Sequence, residues 1–272
     1  MCDYAFNTFP QALTIAGSDS GGGAGIQADL KTFQMRNVFG TSVITAVTAQ
    51  NTQGVWGIHP IPTTTIKAQL KAIADDFNIQ AFKIGMLGDA EVIRCVAESL
   101  AQCDFGPLVL DPVMIAKGGA ALLQEDAIDT LKSQLLPFAT LITPNLPEVK
   151  VLTGIDVVDN HSAEKAAEKF EAMGIKNILI KGGHTESFAG EQSNDWLFTS
   201  GKMIILPAKR YPTPHTHGTG CTLSACITAE LAKGLSIIEA VSVAKKFITA
   251  AISHPLNIGH QHGPVNHWAF KE

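Results

Sequence analysis

The chain has no apolar run of the roughly eighteen residues that a membrane-crossing helix needs, which excludes a spanning helix. It has no basic excess either. Its 20 Lys and Arg against 25 Asp and Glu leave a net charge of −5, so nothing argues electrostatically for nucleic acid or an anionic membrane as partner. The opening residues Met1, Cys2, Asp3, Tyr4, Ala5 and Phe6 lack the basic start of a secretory signal. The five cysteines (Cys2, Cys95, Cys103, Cys221, Cys226) are odd in number and scattered, without zinc-site spacing or a disulfide framework. Together these absences predict a soluble, cytoplasmic protein with reduced thiols. There is no internal repeat, low-complexity segment or linker, so the 272 residues are read as one domain.

One stretch organises the rest. His215-Thr216-His217-Gly218-Thr219-Gly220-Cys221 follows Tyr211-Pro212-Thr213-Pro214, which cannot be regular helix, and precedes a run of small and apolar residues from Thr222 to Leu231. Gly218, Thr219, Gly220 and Cys221 therefore sit where a loop becomes a buried helix. First-turn N–H groups lack partners there and the helix dipole is positive. The glycines let backbone approach a ligand. Such a turn is either an anion cradle, suited above all to phosphate, or a tight turn before a core helix.

Taken in order, the chain alternates strands and helices. Ala12–Gly17 reads as a strand, residues 18–25 as a glycine-rich loop, and a helix opens at Ile26. The loop is not a P-loop, because Gly25 is followed by Ile26-Gln27 rather than Lys-Ser/Thr. Gly23-Ala24-Gly25-Ile26-Gln27-Ala28 matches a dinucleotide turn, but no Asp or Glu lies between Asp29 and Asp75 to hold a ribose. What is left is a close-approach loop over a small organic substrate, with Asp19 and Asp29 as polar handles.

Val43–Ala49 is a β-branched strand ending at Gln50, whose amide can meet a heterocycle edge or simply be solvated. Further strands are expected at 81–86, 107–114, 141–143 and 177–181, with a hairpin at 195–206; helices are expected at 62–77, 88–102, 146 onward, 162–173 and 236–253. Lys117-Gly118-Gly119 reads as a loop, and the histidines of residues 260–267 as surface or packing residues. About five β-then-α units predict an α/β fold with a mainly parallel sheet and helices on both faces. Asp19, Gln50, Asp111, Asn145, Glu148, Lys181 and the 218–221 turn then all fall on one rim, at the carboxyl ends of strands. Doubly wound sheets bind ligands at that rim.

These segments resemble a known family over nearly the whole chain. The resemblance rests on Leu13–Asp19 with Gly22–Lys31, Ser42–Ala46 with Ala49–Thr52, and Lys83–Leu87. It continues through Leu110–Met114, Leu141–Glu148, Lys181–His184 and His215–Ala225. The chain is similar to the ribokinase-like small-molecule kinases, and within them to the hydroxymethylpyrimidine/phosphomethylpyrimidine kinases of thiamine biosynthesis. That resemblance implies a three-layer α/β/α fold and transfer of the ATP γ-phosphoryl group to 4-amino-5-hydroxymethyl-2-methylpyrimidine, then to its monophosphate. It implies a small pyrimidine substrate, ATP and Mg2+ as cofactors, and a homodimer. Its Gly-Thr-Gly loop would form an anion hole from Gly218, Thr219 and Gly220. Cys221 stands where the wider family has a catalytic Asp; a thiol at a helix N-terminus is expected to have a depressed pKa, which suits a base. The resemblance further implies that Gln50, Gly17, Asp29, Met86 and Val113 meet the substrate. Lys181, Asn145, Gly218 and Gly220 would meet the nucleotide, and Asp111 and Glu148 would serve the metal. Pyridoxal or pyridoxine kinase, of the same fold, is the alternative activity. A non-catalytic pyrimidine-binding protein is the remaining one.

Overall fold

The structure, a computed structural model, describes residues 9–114, 125–183 and 192–271. Nine strands form one sheet in the order β3-β2-β1-β4-β5-β6-β7-β8-β9. They are β1 (Gln11–Asp19), β2 (Phe39–Asn51), β3 (Gly54–Pro60), β4 (Ala81–Ile84), β5 (Leu108–Leu110), β6 (Ala139–Ile142), β7 (Ile178–Ile180), β8 (Gln192–Thr199) and β9 (Lys202–Lys209). β2, β1, β4, β5, β6 and β7 run parallel, while β3 and the β8–β9 hairpin add antiparallel edges. The helices are α1 (Gly25–Met35), α2 (Thr63–Asp76), α3 (Ala90–Leu100), α4 (Glu125–Thr130), α5 (Leu146–Thr153), α6 (Asn160–Ala172), α7 (Thr219–Ala232) and α8 (Ile237–Ser253). A π-helical turn (Leu131–Leu135) and a 3-10 turn (Leu136–Phe138) continue α4.

The period-two alternation of strands sorts the core into two layers. Leu13, Ile15, Phe82, Ile84, Leu108, Leu110, Ile178 and Ile180 pack with α2 to α6. Ala12, Ala81, Val109, Leu141 and Leu179 pack with α1, α7 and α8. This is the expected three-layer α/β/α arrangement. Both faces of the parallel strands are covered, so those strands read as apolar runs.

Where the structure departs from expectation, the departures lie at edges. The Gln50–Gly54 stretch is not a free loop end: β2 extends to Asn51 and turns into β3, an edge strand exposed along most of its length, whose Val55, Trp56 and Ile58 show no alternating burial. The strand expected over 107–114 stops at Leu110; Asp111 and Pro112 already belong to the turn. Lys117-Gly118-Gly119 and His184 lie outside the described residues. Elsewhere local chemistry sets the boundaries. Asp89, Asn145, Asp159 and Ser236 cap α3, α5, α6 and α8 through their side chains.

Candidate active site

The parallel strands end on a common rim, and α7 begins over its middle. Gly218 caps α7 in the left-handed conformation (φ 81°), and a Cβ there would collide with the Gly23 carbonyl. Glycine is thus required twice over, by backbone and by space. The first bond of the helix runs from Thr222 N–H to Gly218 O at 2.8 Å, and Thr219 N–H turns back to Thr216 O. The N–H groups of Gly220 and Cys221 precede any intrahelical acceptor and open onto the rim. Gly220 lies directly above a buried ion pair: a Cβ on it would sit 3.4 Å from both Asp111 Oδ2 and Lys181 Nζ.

That pair is the charged floor of the site. Lys181 Nζ lies 2.7 Å from Asp111 Oδ1, and Thr143 Oγ1 donates to the same oxygen at 3.1 Å. Burial works against the Asp111 charge, but Lys181 and Lys83 outweigh it and hold the carboxyl below its usual range. Lys181 therefore reaches a rim position already engaged by Asp111. Asn145 and Glu148 stand beside it and close a capping box: Glu148 N–H donates to Asn145 Oδ1 at 2.9 Å, and Asn145 N–H donates to Glu148 Oε2 at 2.7 Å. Their spacing thus has a structural purpose as well as a candidate metal-side one. Burial pushes the Glu148 carboxyl up to about 7, with Lys181 opposing the rise.

Two sequence expectations need correction. The helix N-terminus does not depress the Cys221 thiol. Burial pushes it up to about 11, against the opposing pull of Lys83 and a hydrogen bond that Gly25 N–H donates to the sulfur. One helix terminus is too weak to offset loss of solvent around a thiolate. Nor is Asp29 an open substrate handle. It is fully buried, 2.7 Å from Lys83 Nζ and 2.6 Å from the Thr14 hydroxyl that donates to it. Lys83, fully buried in β4, in turn points its ammonium to within 3.5 Å of the Cys221 carbonyl oxygen. Asp29 thus braces the underside of the α7 start.

The other side of the rim is built by the turn after β1. Asp19 gathers it: Oδ1 accepts from Gly21 N–H, and Oδ2 accepts from the N–H groups of Gly23 and Ala24. His217 Nε2 reaches the same Oδ2 at 2.9 Å, so the glycine loop and the 215–221 turn are tied together. Gln50 stands next to His217, with 3.3 Å between Nε2 atoms. Gly17 and Met86 are in contact, since a Cβ on Gly17 would lie 2.5 Å from Met86 Cε. Val113, half-buried, follows Asp111 on the opposite wall. The structure therefore brings Gly17, Met86, Gln50, Cys221 and the Asp111–Lys181–Glu148 group to one rim. Lys83 and His217 went unassigned in the sequence. A lysine inside the four-residue apolar strand Ala81–Ile84 was the available signal for the first. The second had none, because its partner Asp19 lies 198 residues away. Of the tail histidines, His267 is buried against the Thr222 hydroxyl at 3.0 Å, a packing role; burial lowers its pKa to about 4. His260 and His262 are exposed.

A mainly parallel sheet between two layers of helices, with a glycine-flanked helix start over its carboxyl rim, is an arrangement suited to phosphate-bearing ligands and so to a phosphotransferase. The family model for phosphomethylpyrimidine kinase matches residues 19–266. The chain belongs to that family. It is 64% identical to the hydroxymethylpyrimidine/phosphomethylpyrimidine kinase of Haemophilus influenzae, over 96% of this chain and 97% of that one. Among solved structures it is similar to Bacillus subtilis pyridoxal kinase in complex with ADP (TM-score 0.88, 41% identity, 96% and 98% coverage). It is also similar to phosphomethylpyrimidine kinase from Clostridium difficile (TM-score 0.79, 42% identity, 89% and 99% coverage).

Proposed function

We propose that the chain, as one kinase domain, phosphorylates 4-amino-5-hydroxymethyl-2-methylpyrimidine at its hydroxyl and then phosphorylates the monophosphate, with ATP as donor. The observation that carries this reading is the α7 start: Gly220, in the first turn of the helix, lies directly over the Asp111–Lys181 pair. Phosphoryl transfer through a loose transition state asks for position and charge stabilisation more than covalent chemistry. The Gly220 and Cys221 N–H groups face charge developing on the transferred group, and Lys181 adds a cation beside them. The substrate hydroxyl oxygen forms the new P–O bond, the β–γ bridging bond of ATP breaks, and Cys221 in its thiolate form takes the hydroxyl proton. Gly17, Met86 and Val113 hold the ring, and Gln50 meets its polar edge.

Asp111 and Glu148 suit a Mg2+ ion. They supply two neighbouring carboxylates and leave further positions to water and phosphate, as this cation prefers. When bound, the ion neutralises phosphate charge. Glu148 then makes nucleotide use depend on pH. A carboxyl with a pKa of about 7 is charged above that value and neutral below it. The apparent KM for magnesium nucleotide is expected to rise roughly tenfold as pH falls from about 8 to about 6, since a unit below its pKa about nine-tenths of the group is protonated. Glu148→Gln should raise that KM at every pH and flatten the dependence; an unchanged slope would remove Glu148 from this role.

The test of the function is turnover. Incubated with magnesium ATP and the hydroxymethylpyrimidine, the protein should release ADP and, run to completion, yield the diphosphate. No product from folded protein would sink the reading. Pyridoxal is the second substrate to assay, because a pyridoxal kinase shares 41% identity with the chain; the ratio of kcat/KM for the two substrates decides between them. The same reading includes a cytoplasmic setting and a homodimer. The exposed edge strand β3, with Trp56 and Ile58 open to solvent, supports the dimer, which sedimentation would test.

A further inference from the structure

His217, Gln50 and Thr48 form a small network whose proton count has one consistent solution. Asp19 Oδ2 lies 2.9 Å from His217 Nε2. Asp19 is ionised: burial opposes its charge, but His217 and the loop amides hold its carboxyl below the usual range. A carboxylate is acceptor-only, so His217 Nε2 carries a proton, whether the ring is neutral or charged. Gln50 then sets a donor against a donor, with its Nε2 3.3 Å from His217 Nε2. The other end of the amide raises a second conflict. Thr48 Oγ1 has one proton, and both Ser18 O at 2.9 Å and Gln50 Oε1 at 3.2 Å compete for it. A half-turn of the Gln50 amide exchanges its two atoms and makes both contacts favourable. The one Nε2 proton of His217 is then shared between Asp19 Oδ2 and Gln50 Oε1 in a three-centre bond, Gln50 Nε2 donates to Thr48 Oγ1, and Thr48 donates to Ser18 O.

We infer that His217 is a specificity-determining positioning residue, which fixes the Gln50 amide with its oxygen toward the 218–221 turn and its nitrogen toward Thr48. The inference rests on the kinase reading above and deepens it. One lone pair of Oε1 and one N–H of Nε2 remain for a ligand, in fixed order. An aminopyrimidine edge matches that pair: its exocyclic amine donates to Oε1 and its ring nitrogen accepts from Nε2. On the ring the hydroxymethyl group is next to the amine and on the far side from that nitrogen. With Oε1 on the His217 side, the hydroxymethyl falls toward Gly218 and Cys221. With the opposite amide orientation it would fall toward Thr48, away from the phosphate cradle. His217 thus sets which way round the ring sits, and it does so through Gln50.

Two measurements test this. The first is the histidine tautomer, read from 15N chemical shifts of the labelled native protein at neutral pH. The expected result is a protonated Nε2; an unprotonated Nε2 would overturn the inference without touching the kinase reading. The second compares the aminopyrimidine with its analogue lacking the amine. In native protein the amine should be worth roughly 10-fold to 100-fold in kcat/KM, the value of one desolvated hydrogen-bonded group. His217→Leu should erase most of that ratio, chiefly through KM for the amine-bearing ring; because the variant also cuts the tie to Asp19, both rings are measured in the same variant and only their ratio is read. His217→Gln, which can place an N–H near the same point, should restore it. In a double-mutant cycle His217→Leu should add little to Gln50→Ala. Retained discrimination in His217→Leu, or additive losses in the cycle, would show that His217 does not act through Gln50. Absence of turnover by native protein on either ring would instead reject the kinase reading.

Discussion

Cys221→Ala is expected to lower kcat roughly 10²-fold or more, the usual effect of losing a general base. KM for both substrates should stay within a few-fold, because the cradle N–H groups are backbone and survive the change. The pH dependence is the sharper readout. With its thiol pushed up to about 11 by burial, Cys221 is mostly protonated at neutral pH. The active thiolate fraction therefore grows about tenfold per pH unit below that value. The slope of kcat with pH should accordingly be positive through the neutral and mildly alkaline range in native protein, and should vanish in Cys221→Ala. A near-native kcat in the variant would assign the whole acceleration to the anion hole and the charged floor.

Lys83→Met is expected to destabilise the fold by roughly 3–5 kcal/mol, because it takes the cation from a fully buried Asp29, whose carboxyl burial already raises, so that folding must then also take up a proton there. The side chains of Lys83 and Asp29 are both fully buried, 2.7 Å apart, and Thr14 satisfies the second carboxylate oxygen. In a chain of this size the loss corresponds to a fall in Tm of roughly 10 °C. Adding Asp29→Asn should recover much of it, since deleting both charges is far milder than deleting one. Thermal melts of the three proteins decide the matter. A native-like Tm in Lys83→Met would show the pair to be dispensable. The pair sits under the Cys221 carbonyl, so the destabilised single variant should also lose activity out of proportion to its folded fraction.

The architecture was readable from the sequence because its strands are buried on both faces and its helices are capped by recognisable residues. Asp89 before α3 and Ser236 before α8 are examples. β3 was not readable: it is exposed and carries no apolar period. The positions on the rim followed from strand ends, so Asp111, Lys181, Gln50 and Cys221 were found together. What could not be read was the state of those groups. The Cys221 thiol was expected to be acidified by a helix terminus, but the packing of β4 and α1 around it decides otherwise. Asp29 carried a substrate role until its distance to Lys83 was known. Sequence spacing gives direction along an element, whereas pKa and pairing depend on desolvation by residues far away in the chain.

The tie between Asp19 and His217 spans 198 residues. A buried salt bridge from the end of α1 to α7, Arg36 with Glu230, spans 194. Among the described residues, the helices covering one face of the sheet are α1, α7 and α8. During synthesis, therefore, β1 and α1 emerge long before their partners. At elongation rates of about 5–20 residues per second the wait is roughly 10–40 s. Until α7 and α8 follow, Val109, Leu141 and Leu179 lack their covering layer, and Asp29 and Lys83 meet without a roof. The nascent chain is thus a client for anything that shields apolar sheet surface. A polypeptide cut short between β9 and α7 would have every described strand of this fold and no place to hold a phosphate.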